Sequence, residues 1–171
     1  MTKITKETFD IAYDILESSF IPAELKEREV LLEQWEKGEV VIEGIEFESK
    51  LAGTIILWVF DDFIFAENFA IKEEHRSKGL GAELLNDIIN TYQGKRIILE
   101  VEPAKNTAQK RRIEFYERNG FTLSPFGYIQ PPLRKECEDV ALQIMHTGDS
   151  LTKTEFECIR EKLFRIVYKS L

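Results

Sequence analysis

The sequence predicts one domain of the α/β or α+β class, and three observations carry that expectation. Between residues 40 and 71, three strand-like runs follow one another with short connections, the signature of an antiparallel meander. From residue 80 onward, helical and strand-like periods alternate. The 171 residues, 43% of them hydrophobic, suffice for one sizeable core, and no repeat, linker or low-complexity tract divides them.

The elements follow in order. Ile4 suits a short first strand, and Thr5 or Thr8 can cap a helix carrying Phe9, Ala12, Ile15 and Leu16. Phe20-Ile21-Pro22 breaks it. A second helix is expected over residues 23–35, ended by Gly38. Strands are expected over residues 40–49, 54–60 and 63–71, with a turn or bulge at 50–53 and another turn at Asp61-Asp62. Leu80, Leu84, Leu85, Ile88, Ile89 and Tyr92 mark an amphipathic helix that Gly94 ends. Residues 96–102 read as a strand, and a helix is expected after Pro103, running to Asn119. Residues 121–123 then start a strand, FGYIQPP reads as a loop, and 141–147 form the last strand. The Thr-x-x-Glu of Thr152 and Glu155 is a capping box that opens a C-terminal helix over 152–169.

Charge narrows the partners. A net charge of −8 and a pI near 5.0 disfavour nucleic acid as a bulk partner. Cys137 and Cys158 have neither metal nor redox spacing and read as free thiols. The N-terminus is too polar for a signal peptide and no apolar run reaches membrane-spanning length, so a cytoplasmic protein is expected.

In this acidic chain the stretch HRSKGLGAELL, residues 75–85, stands out. A dinucleotide fingerprint fails because Leu84 occupies the third glycine position, and a Walker A loop fails on spacing. A short phosphate-binding turn survives. Gly79 and Gly81 give backbone freedom and room, the first helical turn offers free N–H groups, and Arg76 and Lys78 add positive charge. An ordinary helix start with two surface cations explains the stretch equally well.

A wider comparison decides between them. FAENFAIKEEHRSKGLGAELLNDII, residues 65–89, resembles motif A of the GNAT acyl-CoA-dependent N-acetyltransferases, with Arg-x-x-Gly-x-Gly opening at Arg76. ILEVEPAKNTAQKRRIEFYERNGFTL, residues 98–123, resembles motif B of the same superfamily, in the family's order. The resemblance implies a mixed, mostly antiparallel sheet flanked by helices on both faces, in which the strands ending near Ile71 and Val101 run parallel but splay apart. It implies acetyl-CoA as co-substrate, no metal, a pantetheine arm paired with the main chain of Phe69, Ala70 and Ile71, and a pyrophosphate wrapped by His75, Arg76, Ser77, Lys78, Gly79, Leu80, Gly81 and Ala82. One departure is notable. The family's coenzyme-contacting Asn, seven residues before the motif B Tyr, is here Gln109, while Asn106 lies three residues earlier. Asn106 is the preferred contact, although an Asn there is also a good helix cap.

The resemblance further implies acetyl transfer to a primary amine by direct attack, with Tyr116 as general acid toward the coenzyme sulfur. On the residues alone Tyr116 reads as a core aromatic. Glu67 is the base candidate. By the period of two it shares a strand face with Phe65, Phe69 and Ile71, and a carboxylate among those side chains needs a purpose or a partner. It could instead bind a cationic substrate, and a bulge would change which side chain faces the cleft. Phe20, Glu24, Tyr128 and Gln130 are expected on the acceptor side. The acceptor is expected to be a small molecule. A protein or peptide amine, and a domain that binds acetyl-CoA without turnover, are the alternatives, and a homodimer is a common family outcome.

Overall fold

The computed structural model describes residues 1–169. Seven strands form one sheet: β1 (Thr2–Lys3), β2 (Val41–Phe47), β3 (Lys50–Val59), β4 (Phe63–Ile71), β5 (Arg96–Val101), β6 (Thr122–Gln130) and β7 (Val140–His146), in spatial order β1-β2-β3-β4-β5-β7-β6. Every pair is antiparallel except β4 with β5. The sheet is thus mixed and mostly antiparallel. Helix α1 (Lys6–Glu17), α2 (Arg28–Glu36) and α5 (Lys153–Lys162) pack one face through Phe9, Leu16, Leu31, Phe156 and Ile159. Helices α3 (Leu80–Thr91) and α4 (Thr107–Arg118) pack the other through Leu80, Leu84, Ile88 and Ile113. Both faces being covered explains why β3 is apolar almost throughout, from Leu51 to Trp58, rather than alternating.

Several boundaries differ from the sequence expectation. The second helix starts at Arg28, because Pro22 opens a separate short 3₁₀ turn, Pro22–Glu24, and Leu25 is extended. The turn between β2 and β3 is Glu48-Ser49, both left-handed (φ 51° and 60°), so residues 50–53 belong to a strand. β6 runs on through Gln130, across a stretch expected to be a loop. Pro125 and Gly127 are tolerated there because β6 is the outer strand and its register shifts between Leu123 and Gly127. The C-terminal helix changes pitch, with a π-helical turn at Leu163–Val167 after α5.

Two features of β4 position the site. Ile56 pairs with Asn68 and Leu57 with Ala66, leaving Glu67 as the extra residue of a β-bulge. The bulge reverses the alternation expected for this strand. Phe65 and Ala70 face the α1 side and Phe69 and Ile71 the α3 side, so Phe65 and Glu67 do not share a face with Phe69 and Ile71. Pairing between β4 and β5 also stops early. It covers Phe63 to Ala66 against Arg96 to Leu99 and goes no further. Beyond that point β4 bonds only to β3, and β5 only to β7. A wedge therefore opens between the two parallel strands, with Glu67 on one lip and Glu100 on the other.

Candidate functional site

On the α3 side of the wedge the chain turns sharply after β4. A 3₁₀ turn, Glu73–His75, leads to Ser77 (φ 63°) and Gly79 (φ 83°), both left-handed. Gly79 is the N-cap of α3, and an added Cβ there would meet nothing; its conformation, not space, calls for glycine. With no side-chain cap on α3, the N–H groups of its first turn are left to an outside acceptor. Gly81 also has a packing reason. A Cβ on it would sit 3.2 Å from Phe115 Cζ and 3.4 Å from Phe69 Cζ, so glycine lets these rings close against α3. Leu80 is buried in the core beneath, and Ala82 is half-buried. The two cations are partly engaged. Arg76 Nε donates to the Ile71 carbonyl at 3.1 Å, and Lys78 Nζ lies 4.1 Å over the Phe47 ring, beside His75.

Asn106 and Gln109 form the capping box of α4. Asn106 Oδ1 accepts from the Gln109 N–H at 2.9 Å, and Gln109 Oε1 accepts from the N–H groups of Asn106 and Lys105 at 3.1 and 2.8 Å. Gln109 Nε2 also donates to Glu102 at 3.2 Å. Three of the four side-chain polar atoms of the pair are occupied by local structure.

Tyr116 stands on α4 among Phe69, Phe115 and Phe121, 8% exposed. Among the described residues none hydrogen-bonds its hydroxyl. Burial pushes its phenol up to about 12, against a small opposing pull from Arg112 one turn away.

On the α1 side, Glu67 is fully engaged. Its Oε1 accepts from Lys26 Nζ at 2.6 Å and its Oε2 from the Trp58 indole N–H at 2.7 Å. The Lys26 ammonium also lies 4.7 Å over the Trp58 ring. Both charged side chains are buried, 7% and 3% exposed, so this pair holds the α1–α2 connection onto the sheet. Next to it, Asn68 Nδ2 donates to the Glu24 carbonyl at 3.0 Å.

Phe20, Glu24, Glu67, Glu100, Arg112 and Gln130 line a narrow cleft of about 30 Å³ at the mouth of the wedge. Burial pushes the Glu24 carboxyl up, with Glu102 adding to the effect and Arg112 opposing it. Gln130 Nε2 is spent on the carbonyls of Ala23 and Pro131. Tyr128 does not line the cleft directly; its hydroxyl donates to Glu100 Oε1. Tyr168, just past the π turn, donates to the same oxygen at 2.5 Å. Oε2 has no hydrogen bond among the described residues. Burial raises the Glu100 carboxyl to about 7. The two tyrosines hold it down, while Glu67 and Glu24 push it further up.

Glu100, Lys26 and Tyr168 were not anticipated. Glu100 carried the signal that singled out Glu67, a lone carboxylate inside an apolar strand, ILEV. Lys26 and Tyr168 carried none, because their partners lie 41 and 68 residues away in the chain.

The family model for the acetyltransferase (GNAT) family matches residues 9–121. The chain belongs to that family. A GNAT-family protein from Bacteroides thetaiotaomicron superposes with a TM-score of 0.91 at 32% identity, over 99% of this chain and 98% of its own. The ribosomal-protein-S18-alanine N-acetyltransferase of Escherichia coli shares the fold at 21% identity (TM-score 0.65; 88% and 94% covered). So does a GNAT acetyltransferase of Elizabethkingia anophelis with acetyl-CoA bound, at 15% identity (TM-score 0.56; 80% and 90% covered). No curated protein matches the chain significantly. Membership carries, in general terms, acetyl transfer dependent on acetyl-CoA. Among the described residues no cluster of His, Cys, Asp or Glu is placed to hold a metal ion, and no helix is long and apolar enough to cross a membrane.

Proposed function

We propose that the protein transfers the acetyl group of acetyl-CoA directly to the primary amine of a small molecule, with Glu100 taking the amine's proton. The observation that carries this is the Glu100 carboxylate, one oxygen held by two phenols and the other left free at the cleft where β4 and β5 part.

Acetyl-CoA supplies an activated thioester and a sulfur leaving group. The wedge suits it. Beyond Ala66 no strand among the described residues pairs with β4 on the β5 side, so its main chain can bond the pantetheine amides as a strand would, with the Ile71 carbonyl already accepting from Arg76 Nε, and Ser77, Gly79 and the uncapped start of α3 offer N–H groups to a pyrophosphate. Arg76 and Lys78 flank that turn. Glu100, poised near neutrality, is ionised over the upper half of the physiological range and accepts a proton through Oε2. Tyr116 keeps its proton at any working pH, so it donates a hydrogen bond to the sulfur as negative charge gathers there. Glu67, with both oxygens taken, fits a holding role better than that of the base.

The preference for a small acceptor rests on how the acceptor side is tied together. Leu133 N–H donates to the Ala23 carbonyl at 3.0 Å and Arg134 Nε to the Leu25 carbonyl at 2.8 Å, bridging the two segments that flank the cleft. A peptide amine is the second reading. A hollow of about 430 Å³, lined by Ile21, Pro22 and Glu138 among others, adjoins the cleft at Glu102 and has room for a chain.

Thermal shift with acetyl-CoA, then free-thiol release over panels of small amines and of peptides, tests the reading. Stabilisation and turnover with a small amine are expected, with the rate rising as pH passes through about 7. Glu100→Gln should lower kcat by about 10²-fold or more. Binding without turnover on both panels would identify a coenzyme-binding module instead.

A further inference from the structure

The C-terminal turn reaches the site from outside the region that the family model covers. Tyr168 and Tyr128 both lie beyond Phe121, the last residue it matches. The π-helical turn Leu163–Val167 follows α5 directly, and its N–H to carbonyl bond from Tyr168 to Leu163 (2.9 Å) sets the residue after it over β5. The ring of Tyr168 meets Phe164 edge-on at 5.7 Å, Phe164 meets Tyr128 edge-on at 5.3 Å, and Tyr128 stacks on Phe156 of α5. This aromatic row fixes both phenols, and both hydroxyls converge on Glu100 Oε1.

We propose that Tyr168 is a positioning residue of the acetyltransferase site: it clamps one oxygen of Glu100, turns the other toward the acceptor, and stabilises the ionised carboxylate that takes the amine's proton. The inference rests on the assignment of Glu100 as the base. The Tyr168 hydroxyl meets that of Tyr128 as well, so the two phenols and the Glu100 oxygen form one cluster. Tyr168 is the second donor to an oxygen already held by Tyr128. The remaining groups around Glu100 do not do this work. Glu67, Glu24 and Glu102 are like charges that cannot stabilise the carboxylate, Arg112 pairs with Glu102 at 3.4 Å, and Gln130 Nε2 is spent on carbonyls. Without two phenols, burial and the neighbouring carboxylates would leave Glu100 protonated at neutral pH.

The test is Tyr168→Phe in the full chain, with the Glu100 carboxyl followed by ¹³C NMR of glutamate-labelled protein and assigned through Glu100→Gln. Deleting a donor to the charged form should move the titration of Glu100 upward by about one pH unit. Tyr128→Phe, which leaves the C-terminal turn intact, should move it the same way. Mere loosening of the turn would admit water and move it downward, so an unchanged or lowered titration overturns the proposal. The rate with the amine found in the screen separates the two ideas. A raised titration with a rise in rate displaced equally, about tenfold slower at pH 6.5, supports both. A raised titration with an unmoved rate profile keeps the clamp and removes Glu100 as the base.

Discussion

At the scale of single residues, Glu100 has a thermodynamic consequence as well as a chemical one. Its carboxyl titrates near 7 in the folded protein, against an ordinary value of 4.5. The folded state therefore binds this proton more tightly than the unfolded chain. The stability it contributes is complete below pH 4.5 and is lost as pH rises through about 7. Glu100→Gln, which removes the charge and keeps the shape, should thus raise the melting temperature at pH 8, by an amount worth up to about 3 kcal/mol. The gain should fade on titration to pH 4.5. Scanning calorimetry of both proteins at pH 8, 6.5 and 4.5 checks the sign, and equal melting temperatures at pH 8 would mean that the carboxylate is not strained by burial. A residue whose replacement stabilises the fold and slows turnover is the expected mark of a working group in a buried site. Tyr116 is the complement: burial pushes its phenol up to about 12, so it stays protonated at neutral pH.

At the scale of elements, the starts of α3 and α4 face the same wedge but are finished differently. α4 opens on a complete capping box, whereas α3 opens on a left-handed glycine with its first N–H groups unclaimed by any side chain. On the proposed reading, Asn106 then serves helix stability and the pyrophosphate goes to α3. Asn106→Ala should cost about 1 kcal/mol in urea denaturation and leave the acetyl-CoA dissociation constant within twofold. A tenfold weaker coenzyme with unchanged stability would instead make Asn106 a ligand contact. The capping pair was visible in the sequence as Asn-x-x-Gln, and so was the glycine turn. The bulge at Glu67 was not. A bulge is decided by how two strands register over their whole length, and one extra residue is enough to move Phe69 and Ile71 to the other face.

Over the whole molecule, the Lys26–Glu67 pair couples the acceptor side to the sheet. Breaking it from one side leaves a buried charge uncompensated, so Lys26→Met should destabilise by about 3–5 kcal/mol. Adding Glu67→Gln should recover most of that loss; a double variant as unstable as the single one would show that packing, not charge, is what the pair supplies. The sequence by itself determined the order of strands and helices, the two motifs and the turn at Gly79. These are local matters of period, cap and backbone conformation, settled within a few residues. Only the tertiary structure decided which carboxylate is free. Glu67 and Glu100 are equivalent in sequence, each a lone acid in an apolar strand. Lys26 and Trp58 close on the first, while Tyr128 of β6 and Tyr168 near the end of the chain hold only one oxygen of the second. Such partners are chosen by packing across the sheet, and no local pattern records them.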